Sequence, residues 1–104
     1  MRFALTGKTI HQIPPEMFPG LIDAAVAWAN KYTTNKKVEH IWHFSGGMAG
    51  VIIVNVNSAE ELNAMIAEFP FAPFAEMEVH ALLDFRDAMQ QIKQVVQAMA
   101  PGKR

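Results

Sequence analysis

Val38-Glu39-His40-Ile41-Trp42-His43-Phe44-Ser45-Gly46-Gly47-Met48-Ala49-Gly50-Val51-Ile52-Ile53-Val54-Asn55-Val56 is the stretch whose reading decides the fold. Two runs of β-forming residues flank a glycine-bearing turn, which is the pattern of a β-hairpin. The first run sets His40, Trp42 and His43 among apolar residues. The second, Val51 to Val56, is nearly continuous Val and Ile and suits a strand covered on both faces. Such a hairpin is expected in the middle of a sheet. The turn Gly46-Gly47-Met48-Ala49-Gly50 is no phosphate loop, because it lacks the lysine and hydroxyl residue and no helix follows it directly.

Toward the N-terminus, Arg2 to about Ile10 reads as a strand. Phe3 and Leu5 alternate with Arg2, Ala4 and Thr6, although Gly7 weakens the pattern. His11 to Pro15 is a loop. A helix then begins between Pro15 and Pro19, since proline fits a first turn where its missing N–H costs nothing. It runs to about Tyr32 with Phe18, Leu21, Ile22, Ala25, Trp28, Ala29 and Tyr32 on one face. Thr33 to Lys37 is a polar connection into the hairpin.

Toward the C-terminus, Ser58-Ala59-Glu60-Glu61 is a capping box, with the hydroxyl accepting from the Glu61 N–H and the Glu61 side chain reaching back. The helix it opens carries Leu62, Met65, Ile66 and Phe69 on one face and stops at Pro70. Phe71-Ala72-Pro73-Phe74 is an apolar loop, expected to pack against something. Glu76 to Leu83 is the last strand, with Glu78 and His80 on one side and Met77 and Val79 on the other. Asp84 caps a third helix, Phe85 to about Met99, whose apolar face is Phe85, Ala88, Met89, Ile92, Val95, Val96 and Met99, and Pro101-Gly102 ends it.

The order is β-α-β-β-α-β plus one helix, an α+β, ferredoxin-like split βαβ arrangement with an antiparallel four-stranded sheet. At 104 residues, 51% apolar and 18% charged, residues 1–104 form one globular domain. The first two helices cover one sheet face. The hairpin strands are apolar in both phases, so a second subunit is expected on the other face. A net charge of −1 with no basic stripe argues against nucleic acid as a partner. The absence of cysteine excludes disulfides and Cys-based zinc sites and agrees with a cytoplasmic protein. No signal peptide and no run of the ~20 apolar residues that a membrane span needs are visible, so no membrane partner is expected.

Several motifs resemble the muconolactone isomerase family. They are Glu61-Leu62, Phe69-Pro70-Phe71-Ala72-Pro73-Phe74 and Met77-Glu78-Val79, with His40-Ile41-Trp42 followed by Gly46. The family's pattern there is an E-L helix, an L-P-L-F-P-Y loop, an I-E-V strand and an H-L-W strand with a glycine turn. The resemblance spans about Val38 to Leu83. It implies a dimeric α+β barrel, in homodimers or larger rings, and a cofactor-free isomerase that shifts a double bond in a small lactone by moving a proton. The chain departs from the family with Ala24 and Ala25 late in the first helix, where carboxylates are usual, and with Gly46-Gly47 in place of Gly-His.

Proton transfer beside a carbonyl needs a base matched to the working pH in a pocket that excludes water. The candidates are His40, His43, Glu78 and His80. Of these, His40, Glu78 and His80 are expected to carry protons. Trp42, Phe44, Phe71 and Phe74 are expected to wall a small-molecule site. Against each stands a plainer reading, a surface or internally hydrogen-bonded histidine and a core tryptophan, and the seven methionines read as adaptable packing. No helical His pair suggests a metal site. Two alternatives remain, a cofactor-free monooxygenase on the same barrel and a non-catalytic oligomeric ligand carrier.

Overall fold

The computed structural model describes residues Met1–Ala100. Four strands, β1 (Arg2–Thr9), β2 (Val38–His43), β3 (Ala49–Asn55) and β4 (Ala75–Ala81), form one antiparallel sheet in the order β2-β3-β1-β4. Three helices, α1 (Phe18–Thr34), α2 (Ala59–Glu68) and α3 (Phe85–Met99), complete the α+β order expected from the sequence. Short 3-10 turns at Pro15–Met17 and Ala72–Phe74 precede α1 and β4.

The hairpin holds one correction. β3 lies inside the sheet, but β2 pairs only with β3 and is an edge strand. Hydrophobic content alone does not distinguish the two positions, because an edge strand can be greasy when another surface covers it. The pairing shifts register between Val38 and His40, so Glu39 is bulged out and bonds Arg2 at 2.7 Å. The last strand also ends at Ala81, two residues before Leu83.

The core lies between the sheet and α1 and α2. Phe3, Leu5, Val38, Ile52, Val54 and Val56 from the strands meet Trp28 and Tyr32 of α1 and Leu62 and Met65 of α2. Trp28 locks the helices together. Its indole N–H donates to the Met65 carbonyl at 3.1 Å, while its ring packs on Tyr32 and Phe69. Ser58 caps α2 by accepting from the Glu61 N–H at 3.1 Å, whereas the Glu61 carboxylate accepts from the Asn57 N–H, one residue before the cap, and pairs with Lys37 at 2.7 Å. The expected loop does pack, with Phe71 buried against Phe18 and Phe69. Asp84 caps α3 by accepting from the Asp87 N–H. The expected stop at Pro101-Gly102 lies outside the described residues.

Three carboxylates tie elements together, and each is held below its ordinary value of 4.5. The cause is a side-chain hydrogen bond, from Arg2 to Glu39, from Lys37 to Glu61, and from the Tyr32 hydroxyl and then Lys31 to Glu68. A carboxyl group depressed by folding stabilises the native state above its unfolded pKa, and that stabilisation is lost as pH falls through the folded value. Urea unfolding is therefore expected to show a lower midpoint in acid than at pH 7, with the loss confined below about pH 4.5. Tyr32→Phe removes the first cause at Glu68, and the acid-dependent drop in midpoint is expected to shrink.

Candidate functional site

The apolar face of α1 is only half used. Trp28 and Tyr32 near its C-terminal end are buried, whereas Ile22 and Val26 are 47% and 55% exposed. The reason lies in the sheet beneath. Side chains facing the helices run in rows across the strands. The row Val38–Val54–Phe3–Ala81 and the row Ile41–Ile52–Leu5–Val79 fill the space under the anchored half of α1. The next row is His43–Gly50–Gly7–Met77, and its two central positions have no side chain. A cavity of about 430 Å3 occupies that space.

Gly7 and Gly50 form its floor, Ile22, Ala25, Val26 and Ala29 of α1 its roof, and Phe69 and Phe71 its inner wall. Gly50 is required by its surroundings, since an added Cβ would stand 2.6 Å from the Trp42 carbonyl oxygen. At Gly7 a Cβ would meet Met77 Cγ at 3.4 Å and the Glu76 carbonyl oxygen at 3.7 Å, ordinary van der Waals contacts. The lining is almost wholly apolar. His43 is its titratable residue, sharing the helix-facing phase of β2 with Ile41, whereas Lys8 borders the cavity beside Gly7 but has the opposite phase, with Glu76.

Phe71, expected to wall a site, lines this cavity, whereas Trp42 borders it with its backbone and turns its ring to the opposite sheet face. Phe44 lies instead in a shallower hollow of about 260 Å3 with Thr6, Lys8, Glu76 and Glu78. Phe74 is half-buried and outside both linings, and its carbonyl accepts from the Ile10 and His11 N–H groups. His40, Glu78 and His80 project from the opposite, uncovered sheet face. There His40 stacks on Trp42 with centroids 4.9 Å apart, and His80 Nε2 stands 3.4 Å from Glu78 Oε2. The row His40–Ile53–Ala4–His80 crosses the whole sheet. Three strand spacings separate its ends by about 14 Å. The structure therefore gathers two pairs on one face but does not bring them together. Sequence reasoning read Gly7, Gly50 and Ile22 only as strand, turn and helix-face positions, did not name Val26, and named His43 as a candidate base without assigning it the proton transfer. The detectable signal was a pair of glycines at matching register in two strands.

Among the described residues no cluster of three or more His, Asp or Glu is placed to hold a metal ion, and no helix is long and apolar enough to cross a membrane.

The family model for muconolactone delta-isomerase matches residues 1–88. The chain belongs to the muconolactone delta-isomerase family. It is 32% identical over 56 residues to the muconolactone delta-isomerase of Acinetobacter baylyi, an alignment covering 54% of this chain and 58% of that relative. Among solved structures it resembles a muconolactone isomerase, with a TM-score of 0.72 at 22% identity, over 81% of this chain and 90% of the other. It also resembles the 5-chloro-2-hydroxyhydroquinone dehydrochlorinase of Burkholderia phenoliruptrix in complex with 2,5-dihydroxybenzoquinone. There the TM-score is 0.57 at 17% identity, over 84% and 98% of the two chains. Both likenesses concern the fold. The muconolactone delta-isomerase family match takes in all four strands with α1 and α2, and it ends four residues into α3.

The floor can be filled without disturbing the frame. Gly7→Val is expected to fold with a urea midpoint near that of the parent and to weaken binding of a small apolar probe in the cavity at least tenfold. Gly50→Ala, which meets backbone, is expected to lower the midpoint itself. Isothermal titration and urea unfolding on the two variants separate these outcomes.

Proposed function

We propose that this member of the muconolactone delta-isomerase family is a cofactor-free enzyme that moves a double bond in a small apolar lactone or related ring carbonyl by proton transfer. The observation that carries this reading is the cavity, whose apolar walls hold an imidazole at one corner. Its volume of about 430 Å3 lies within the range of small-molecule sites. A single-ring substrate comparable in size to the dihydroxybenzoquinone of the dehydrochlorinase complex fills such a space.

The chemistry follows from the lining. Imidazole exchanges protons near neutral pH. At the cavity corner, His43 removes a proton from the carbon beyond the conjugated double bond, leaving a dienolate, and returns it to the carbon next to the carbonyl. Walls such as Phe69, Phe71 and Ile52 keep water from competing and strengthen every electrostatic contact inside.

The Glu78–His80 contact favours a second reading. In it, His40, Glu78 and His80 carry the protons, and Trp42 and Phe44 wall a chamber made when a second copy covers the open face. The test is deuterium uptake from solvent into muconolactone, followed by NMR. Under the first reading His43→Ala lowers the exchange rate by a factor of ~10² or more, the usual worth of a positioned acid or base. His40→Ala and Glu78→Gln then stay within a few fold of the parent. The reverse pattern supports the open face. Binding without exchange in the parent, unchanged in all three variants, would make the protein a ligand carrier.

A further inference from the structure

We propose that the cavity selects uncharged ligands, taking a single ring whose far end carries an ester, amide or alkyl group and refusing the same ring with a carboxylate. The inference rests on the cavity being the ligand site and adds to that reading the class of ring compound that enters.

The floor gives a ligand two different ends. His43 stands at one end of the floor row and Met77 at the other, with Gly50 and Gly7 between them. Three strand spacings set these ends about 14 Å apart. A Cβ on Gly7 would lie 3.4 Å from Met77 Cγ and 4.0 Å from its Cε, so the thioether reaches over the floor from its end. A ring lying on the two glycines, with its reacting carbon at the imidazole, turns its far substituent toward that thioether. Methionine adapts its shape to such a group but brings it no charge.

The hydrogen-bonding side chains of the lining suit a neutral ligand. Thr9 shares the strand phase of Leu5 and Gly7, and its hydroxyl can donate to a carbonyl or accept from an amide. His43 is the titratable member. A carboxylate set against an imidazole favours the protonated ring, and a protonated ring cannot take a proton from the ligand. A charged ligand held there would switch off the base.

Among the described residues no lysine or arginine turns its side chain into the cavity. Arg2, Lys31 and Lys37 are ion-paired with Glu39, Glu68 and Glu61. Lys8 has the opposite strand phase, and Lys36, Arg86 and Lys93 lie outside the lining. The roof helix adds a negative charge instead, with exposed Asp23 one turn before Val26. A carboxylate entering this space gives up its water and finds no counter-charge, whereas an ester or amide of the same shape loses far less. Muconolactone itself carries a carboxymethyl side chain, so its ester is the better fit to these walls.

Phenylacetate and phenylacetamide are unreactive one-ring probes of nearly the same shape that differ in charge. Isothermal titration at neutral pH is expected to find the amide bound about tenfold or more tighter than the acid, and Gly7→Val should weaken the amide. Met77→Lys places a cation at the far end of the floor and should reduce or reverse the ratio. Val26→Lys, at a rim position that is 55% exposed, should do the same if the first variant does not fold. Deuterium uptake should give a kcat/KM about tenfold or more higher for muconolactone methyl ester than for muconolactone. A parent that binds the acid as tightly as the amide would overturn the proposal. So would a ratio left unchanged in a folded lysine variant. If the amide is preferred but neither lactone exchanges, the charge selection stands and the enzymatic reading fails. If neither probe binds, both fall.

Discussion

The structure depends on an anchorage at one end. Trp28 donates its buried indole N–H to the Met65 carbonyl and wedges its ring between Tyr32 and Phe69. A buried polar donor left without a partner would cost about 1–3 kcal/mol, so the bond fixes where α1 sits against α2. The sheet beneath is filled to match at that end, with Val54 wholly buried and Leu5 and Val38 nearly so. Two residues further along each central strand the filling stops. Gly7 and Gly50 face a helix held at a height set elsewhere, and the helix cannot drop to close the gap without losing the anchor. The cavity is the geometric result of a fixed roof over a bare floor.

Much of the frame was legible from local chemistry. The order of elements, the Ser58 and Asp84 caps and the proline-led entry to α1 all follow from residues that act within one turn of themselves. The family resemblance rested on the same kind of short-range pattern. What the chain did not disclose is which strand of the hairpin ends at an edge, since that depends on pairing between Arg2–Thr9 and Ala49–Asn55, some fifty residues apart. The floor was hidden for the same reason. Gly7 alone reads as a weak point in a strand, and Gly50 as part of a turn. Only the register that sets one opposite the other converts two ordinary glycines into a void.

Period-two alternation also explains why the candidate residues were sorted by side while the side the helices take was not legible. Glu78 and His80 share a face with His40 and Trp42, as their phases require. Alternation does not say which face the helices take. Here they take the face of Leu5 and Ile52, and the groups that look chemically richest lie on the other. That face holds Trp42 and Phe44 at 56% and 46% exposure, beside a histidine and glutamate in contact.

The two faces differ in what surrounds a proton carrier more than in which carriers they hold. On the open face of a single chain the side chains of Glu78 and His80 are 66% and 60% exposed, so water screens their mutual attraction and solvates both charge states. Such a pair exchanges protons with solvent at least as readily as with a ligand. His43 at the cavity corner is also exposed in a single chain, but its neighbours on the cavity side are apolar, and an enolate formed beside it gains from each dipole that the walls fix in place. Covering either face by a second copy shifts this balance by removing water, and the area at stake is large in both cases.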